Sequence, residues 1–228
     1  MIRSNVRILT CAVGLAVIGM MASCSKENVS TPESETTPGS NVGDSVALDT
    51  VNGTKGYLVT LSDGYGARNF HQGTEASTED TNQWADPAST YYYLLSSNDG
   101  GDSSDWDFKF SGTANANFTV NTTKYTLSYV NTSFDSVTLS TTTTAISSGI
   151  AGYNSFSGTG SSTSSGWYIY NISTHIMSSY QSRTYVLTPV GSGSTWKIKL
   201  RSVYWNETPN ASYAATNYPF MSFDYAKL

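Results

Sequence analysis

Between Ser194 and Val203 apolar and basic residues alternate, with Trp196, Ile198 and Leu200 on one face and Lys197, Lys199 and Arg201 on the other. A period of two is that of a half-buried antiparallel strand, so the apolar trio points to a core and the basic residues line the solvent side. The phase changes near Ser202, after which Val203 and Trp205 share a face, and a bulge is expected there. Similar short runs of Tyr, Phe, Trp, Val and Thr predict strands over 56–62, 90–97, 106–112, 116–121, 124–131, 136–142, 166–172, 184–190 and 220–225. Gly191-Ser192-Gly193-Ser194 joins two of these runs, and its glycines can take the positive φ that a tight hairpin turn needs. No window repeats apolar positions at helical spacing for three turns, and no fixed-period repeat marks a propeller or solenoid. The expected fold is all-β, an antiparallel β-sandwich or open barrel of about ten strands.

The N-terminus follows a different pattern. Arg3 and Arg7 flank the start of an apolar run over 8–21, which has the form of a signal peptide. At about 14 residues it is shorter than the roughly 20 a membrane-spanning helix requires. It ends in Met21-Ala22-Ser23-Cys24, which resembles the lipobox of bacterial lipoproteins. Residues 1–23 are therefore read as the signal peptide, 24–44 as a lipid anchor on Cys24 with a flexible Ser/Thr/Pro/Glu linker, and 45–228 as one domain. Ser25-Lys26-Glu27 resembles the short tag that carries some lipoproteins to the cell surface, although a solvated linker would read the same way. The expected location is the outer membrane, lipid-anchored, facing the periplasm or the exterior. Cys11 lies in the part removed, so the mature domain carries no thiol for disulfides, Cys-ligated zinc, iron–sulfur clusters or nucleophilic catalysis.

A net charge of -5 with only 13% charged residues leaves no electrostatic footprint for nucleic acid. The only histidines are His71 and His175, and no nucleophile elbow, zinc-protease motif or phosphate loop accompanies them. A binding protein is expected rather than an enzyme. Asp99, Asp102 and Asp105 offer hard oxygen donors for calcium, or form a solvated turn between the aromatic runs that flank them. Sixteen tyrosines suggest binding-site walls, or cross-strand packing on the sheets. His175 and Met177 follow an aromatic strand two residues apart, a spacing that projects both to one side; both residue types can hold haem iron. The same spacing also suits a turn with an exposed His and a Met packed beneath it.

Several segments occur in a telling order: Trp106-Asp107-Phe108-Lys109-Phe110, Gly166-Trp167-Tyr168-Ile169-Tyr170 with His175, Arg183-Thr184-Tyr185-Val186-Leu187-Thr188, Trp196-Lys197-Ile198-Lys199-Leu200 and Phe220-Met221-Ser222-Phe223-Asp224-Tyr225. Together they resemble the HmuY family of haem-binding outer-membrane lipoproteins, from about Tyr91 to the C-terminus and most closely from Gly166 onward. The resemblance implies an all-β haemophore-like protein for iron acquisition, which takes haem or a related tetrapyrrole and works with an outer-membrane receptor or a host protein. It also implies iron clamped between two axial ligands, His or Met. His175 lies near a ligand position, with Met177 as its substitute. Between Lys109 and Gly166 there is neither His nor Met, which leaves Tyr129, Tyr153 or His71 for the second ligand. Tyr168, Tyr170 and Tyr153 are the expected pocket aromatics. The competing reading keeps the fold without haem ligation, as a surface binding or adhesion lipoprotein whose Tyr-rich face takes glycan or protein.

Overall fold

A computed structural model describes residues 36–48, 52–73, 89–156, 165–171, 173–209 and 219–228. The signal peptide, Cys24 and the linker as far as residue 35 lie outside the described residues. Sixteen strands follow in chain order, β1 (Ser45–Ala47), β2 (Thr54–Thr60), β3 (Tyr65–Gln72), β4 (Tyr91–Leu94), β5 (Asp99–Gly100), β6 (Phe108–Ser111), β7 (Asn117–Val120), β8 (Tyr125–Val130), β9 (Thr144–Ile146), β10 (Ile150–Ala151), β11 (Tyr153–Phe156), β12 (Tyr168–Asn171), β13 (Ile176–Ser179), β14 (Thr184–Pro189), β15 (Trp196–Ser202) and β16 (Met221–Lys227). The count exceeds the ten expected because short strands of two to four residues, such as β5, β9 and β10, carry little periodic signal.

The strands form an eight-stranded sheet in the order β1-β2-β3-β16-β15-β14-β8-β9, a five-stranded sheet β10-β7-β6-β4-β5 and a three-stranded sheet β11-β12-β13. Among the described residues every pairing is antiparallel except β11 with β12, and no sheet closes into a barrel. The two larger sheets face each other across an aromatic core, as in a sandwich. Phe70 and Phe223 of the first meet Tyr93 of the second edge-on at 5.3 and 5.0 Å, and Phe118 meets Tyr185 at 5.6 Å. The rings take edge-to-face and offset geometries, which suit their quadrupoles. Much of the tyrosine content is therefore internal: Tyr91, Tyr93, Tyr185, Tyr204 and Tyr225 are fully buried. Their hydroxyls find partners inside, as in the chain Tyr93 to Tyr225 (2.7 Å) to the Asn98 side-chain oxygen (3.0 Å).

The predicted alternation in β15 holds on its inner face, where Trp196, Ile198 and Leu200 are buried, and the ladder to β16 shifts register between Leu200 and Ser202. The Gly191–Ser194 segment links β14 to β15 as a hairpin. On the outer face Lys197 departs from expectation, being buried rather than solvated. The connection from β8 to β9 folds over it, and its ammonium donates to the carbonyls of Phe134 (3.0 Å) and Val137 (3.4 Å), pairs with Asp63 (2.6 Å) and lies 4.6 Å from the Phe134 ring. The strand predicted over 136–142 is that cover. Phe134–Ser136 is a single 3-10 turn, and the Thr141 hydroxyl then accepts from the Thr138 N–H (2.9 Å), a local bond that competes with a sheet ladder.

Two further expectations change. Part of the predicted linker is docked on the domain, with the Thr36 N–H donating to the Ser97 carbonyl (2.9 Å) and its hydroxyl to Asp99 (2.7 Å). The three aspartates do not converge. Asp99 is buried on β5, Asp102 caps its own turn through the Ser104 and Asp105 N–H groups, and Asp105 pairs with Lys124 (2.6 Å).

Candidate functional site

The three-stranded sheet gathers most of the residues that the sequence singles out. Tyr153 on β11 registers with Tyr168 on β12, which opposes Ser179 on β13, and Tyr170 opposes Met177. By register these residues share one face of the sheet. Tyr153, on the edge strand, is 53% exposed, while Tyr168 and Tyr170 are half-buried. The Tyr168 phenol is pushed up to about 12, first by burial and then by the neighbouring Tyr153 and Tyr170 phenols. Trp167 anchors the sheet to the sandwich, its indole N–H donating to the Ala116 carbonyl (2.6 Å).

His175 occupies the turn between β12 and β13 with φ of 56°, in the left-handed region that non-glycine residues rarely adopt. The Asn171 side chain organises the turn by accepting from the N–H groups of Ser173 (2.9 Å) and Thr174 (3.1 Å). Met177 shares the sheet face of Tyr170, while His175 sits in the turn and the two differ in their surroundings. The imidazole is exposed, whereas Met177 is buried in the main core and its N–H donates to the Tyr204 hydroxyl (2.9 Å). The Tyr170 hydroxyl is hydrogen-bonded to Nδ1 of His175 at 2.8 Å. That bond orients the ring.

His71 stands apart from this group, on β3 of the eight-stranded sheet. It is buried, with Nδ1 3.2 Å from the Asn69 carbonyl oxygen and its ring edge-on to Phe220 at 4.9 Å. It lines an open cleft of about 810 Å³ with Tyr57, Asn69, Trp205 and Phe220 among its walls. Trp205 is 44% exposed and Tyr57 38%. Sequence reasoning did not find this cleft: it put Trp205 on a strand face with Val203, whereas Val203 is buried and Trp205 stands exposed in the 3-10 turn Trp205–Glu207. Tyr129, the other tyrosine considered as a ligand, lies on β8 with its ring 4.4 Å from the Arg183 guanidinium, a cation–π contact.

Among the described residues no group of three or more His, Cys, Asp or Glu side chains gathers as a metal site, and no helix is long and apolar enough to cross a membrane. Comparison of the chain with family models, curated proteins and solved structures gives no match.

Proposed function

We propose that this is a non-catalytic lipoprotein, anchored to the outer membrane through Cys24, that binds haem or a related tetrapyrrole on the β11–β13 sheet with His175 as an axial ligand. The observation that carries the reading is the Tyr170–His175 hydrogen bond. Histidines that ligate metals almost always have their second nitrogen held in this way, which fixes ring orientation and ligand basicity. Tyr170 lies beside that imidazole, and Tyr168 and Tyr153 continue the same sheet face with flat apolar rings and polar tips, the chemistry that suits a macrocycle with an apolar plane and charged propionates.

The residues fit such a cargo from one side. Met177 does not serve, because its side chain belongs to the main core, and His71 belongs to another sheet. Tyr153 shares its sheet face with Tyr168 and Tyr170, so it serves as a wall of the site and not as a ligand from the opposite side of the ring. The reading is therefore of a one-histidine site, and the receptor or host protein that exchanges the cargo would meet the β12–β13 turn.

Titration of the purified domain with ferric haem, followed by visible absorption, tests this. Wild type is expected to give a saturable shift of the Soret band. His175→Ala abolishes it, Tyr170→Phe weakens affinity by about 10–100-fold, and His71→Ala binds as wild type. A haem spectrum that the wild-type protein leaves unchanged overturns the proposal.

A further inference from the structure

The eight-stranded sheet is interrupted along a line that crosses three consecutive strand pairings. Opposite the β2 segment from Lys55 to Tyr57, β3 carries an additional residue. Between Phe70 and Ala67, β3 again has two residues where β16 has one, and β15 carries an extra residue between Leu200 and Ser202. Asn69 takes φ of 53° at the centre of this line, and the facing Gly56 has φ of 114° with the Arg68 and Asn69 carbonyls where a Cβ would stand. Bulges of this kind bend a sheet and re-aim side chains, and they concentrate beside binding sites.

Over the bulges sits the turn Trp205–Glu207, in which Asn206 and Glu207 both have left-handed φ, 49° and 57°. Each such residue costs free energy and persists only where its surroundings hold it. Here they do. Asn69 Nδ2 donates to the Asn206 side-chain oxygen (2.8 Å), and the Asn206 N–H returns to Asn69 Oδ1 (2.7 Å). Arg201 binds both oxygens of Glu207 at 2.9 Å and reaches Asp224 at 3.1 Å, while Arg68 joins Asp224 (2.6 Å) and Glu207 (3.3 Å). All this fixes a turn whose one large side chain, Trp205, is left with almost half its surface in solvent, propped edge-on against Phe220 at 5.0 Å. Core formation gives no reason for that outlay, whereas presenting a rigid aromatic platform does.

We infer that this cleft is a carbohydrate-binding site, taking a short glycan whose pyranose rings stack on Trp205 and Tyr57 while its hydroxyls bond to the Asn206 carboxamide and Lys55. A cleft of about 810 Å³ falls in the range of small-molecule sites. Its walls mix exposed aromatic faces with an exposed carboxamide and an ammonium, and an all-apolar occupant would strand those polar groups. A pyranose combines an apolar C–H face, which stacks on an aromatic ring, with a ring of hydroxyl donors and acceptors for the polar groups. The site is separate from the small sheet and does not depend on the tetrapyrrole reading.

The test is affinity electrophoresis and calorimetric titration of the domain with soluble cello-, malto-, chito-, xylo- and manno-oligosaccharides and the corresponding polysaccharides. At least one probe is expected to bind, and Trp205→Ala, at an exposed position, should weaken it by about tenfold or more. Trp205→Tyr should retain most of the binding, and His175→Ala all of it. Failure of every probe to bind wild type, or equal binding by Trp205→Ala, overturns the inference. So does loss of haem binding in Trp205→Ala, which would assign the cleft to the tetrapyrrole instead.

Discussion

Replacing Lys197 probes the least expected feature of the fold. A side chain that strand alternation sends to solvent is only 3% exposed, with its ammonium between the Phe134 and Val137 carbonyls and the half-exposed Asp63. Truncation to Ala removes three buried methylenes, about 0.8 kcal/mol each, and leaves the Phe134 carbonyl without its charged donor, about 1–3 kcal/mol. The Asp63 pair adds little, about 0.5–1 kcal/mol, because one partner is half in water. Against these stands relief of the cost of holding an ammonium out of water, which recovers a large part of the electrostatic loss. The net expectation is about 2–4 kcal/mol for Lys197→Ala and about 1–2 kcal/mol for Lys197→Met, which keeps the apolar stem. Lys199→Ala, partly exposed on the same face, should change stability by less than about 0.5 kcal/mol. Urea unfolding followed by tryptophan fluorescence measures all three, provided the slopes agree. Equal, small effects of Lys197→Ala and Lys199→Ala would show that the cover over β15 is not in place and that the lysine is solvated.

Two further outcomes follow from the chain's ends and its core. Cys24→Ala should move the protein from the detergent phase to the aqueous phase on phase partitioning, because acyl chains on that residue would be its membrane anchor; a variant that still partitions into detergent refutes the lipoprotein reading. Burial holds Tyr93, Tyr185 and Tyr225 well above the ordinary tyrosine value and pushes Tyr168 up to about 12. The unfolded chain loses these protons near pH 10, so their contribution is fully present below about pH 10 and is lost as pH rises toward the folded values. Phenolate absorbance should therefore appear in two stages, the second together with loss of the β signal in circular dichroism, and a single reversible stage with the fold intact would contradict it.

The sequence made the sheets legible wherever alternation ran unbroken, as in β15, and it placed the bulge near Ser202 because the phase slips there. It concealed β3, where the left-handed Asn69 puts the buried Ala67 and Phe70 three residues apart instead of two. Lys197 shows a second limit: alternation assigns a side chain to a face, but not what covers that face. The tyrosines of the small sheet were identifiable by residue type, and the meeting of Tyr170 with His175 depends on the β12–β13 hairpin. His175 and Met177 differ because the first sits exposed in the turn and the second on the face that packs into the core, a difference of burial that spacing alone does not report. The cleft around Trp205 arises from residues of β2, β3 and the 205–207 turn that only the folded sheet brings together, so no local pattern announced it.

The central claim is that the β11–β13 sheet is the tetrapyrrole site. Amide chemical-shift mapping with diamagnetic zinc protoporphyrin tests it directly, since ring currents displace resonances of nearby residues whatever the metal. The account predicts that shifts concentrate on 153–156, 168–171 and 173–179, with the largest at His175, and that β2, β3 and Trp205 stay unmoved. Shifts centred on His71 and Trp205, or no saturable shifts on the small sheet, would contradict it.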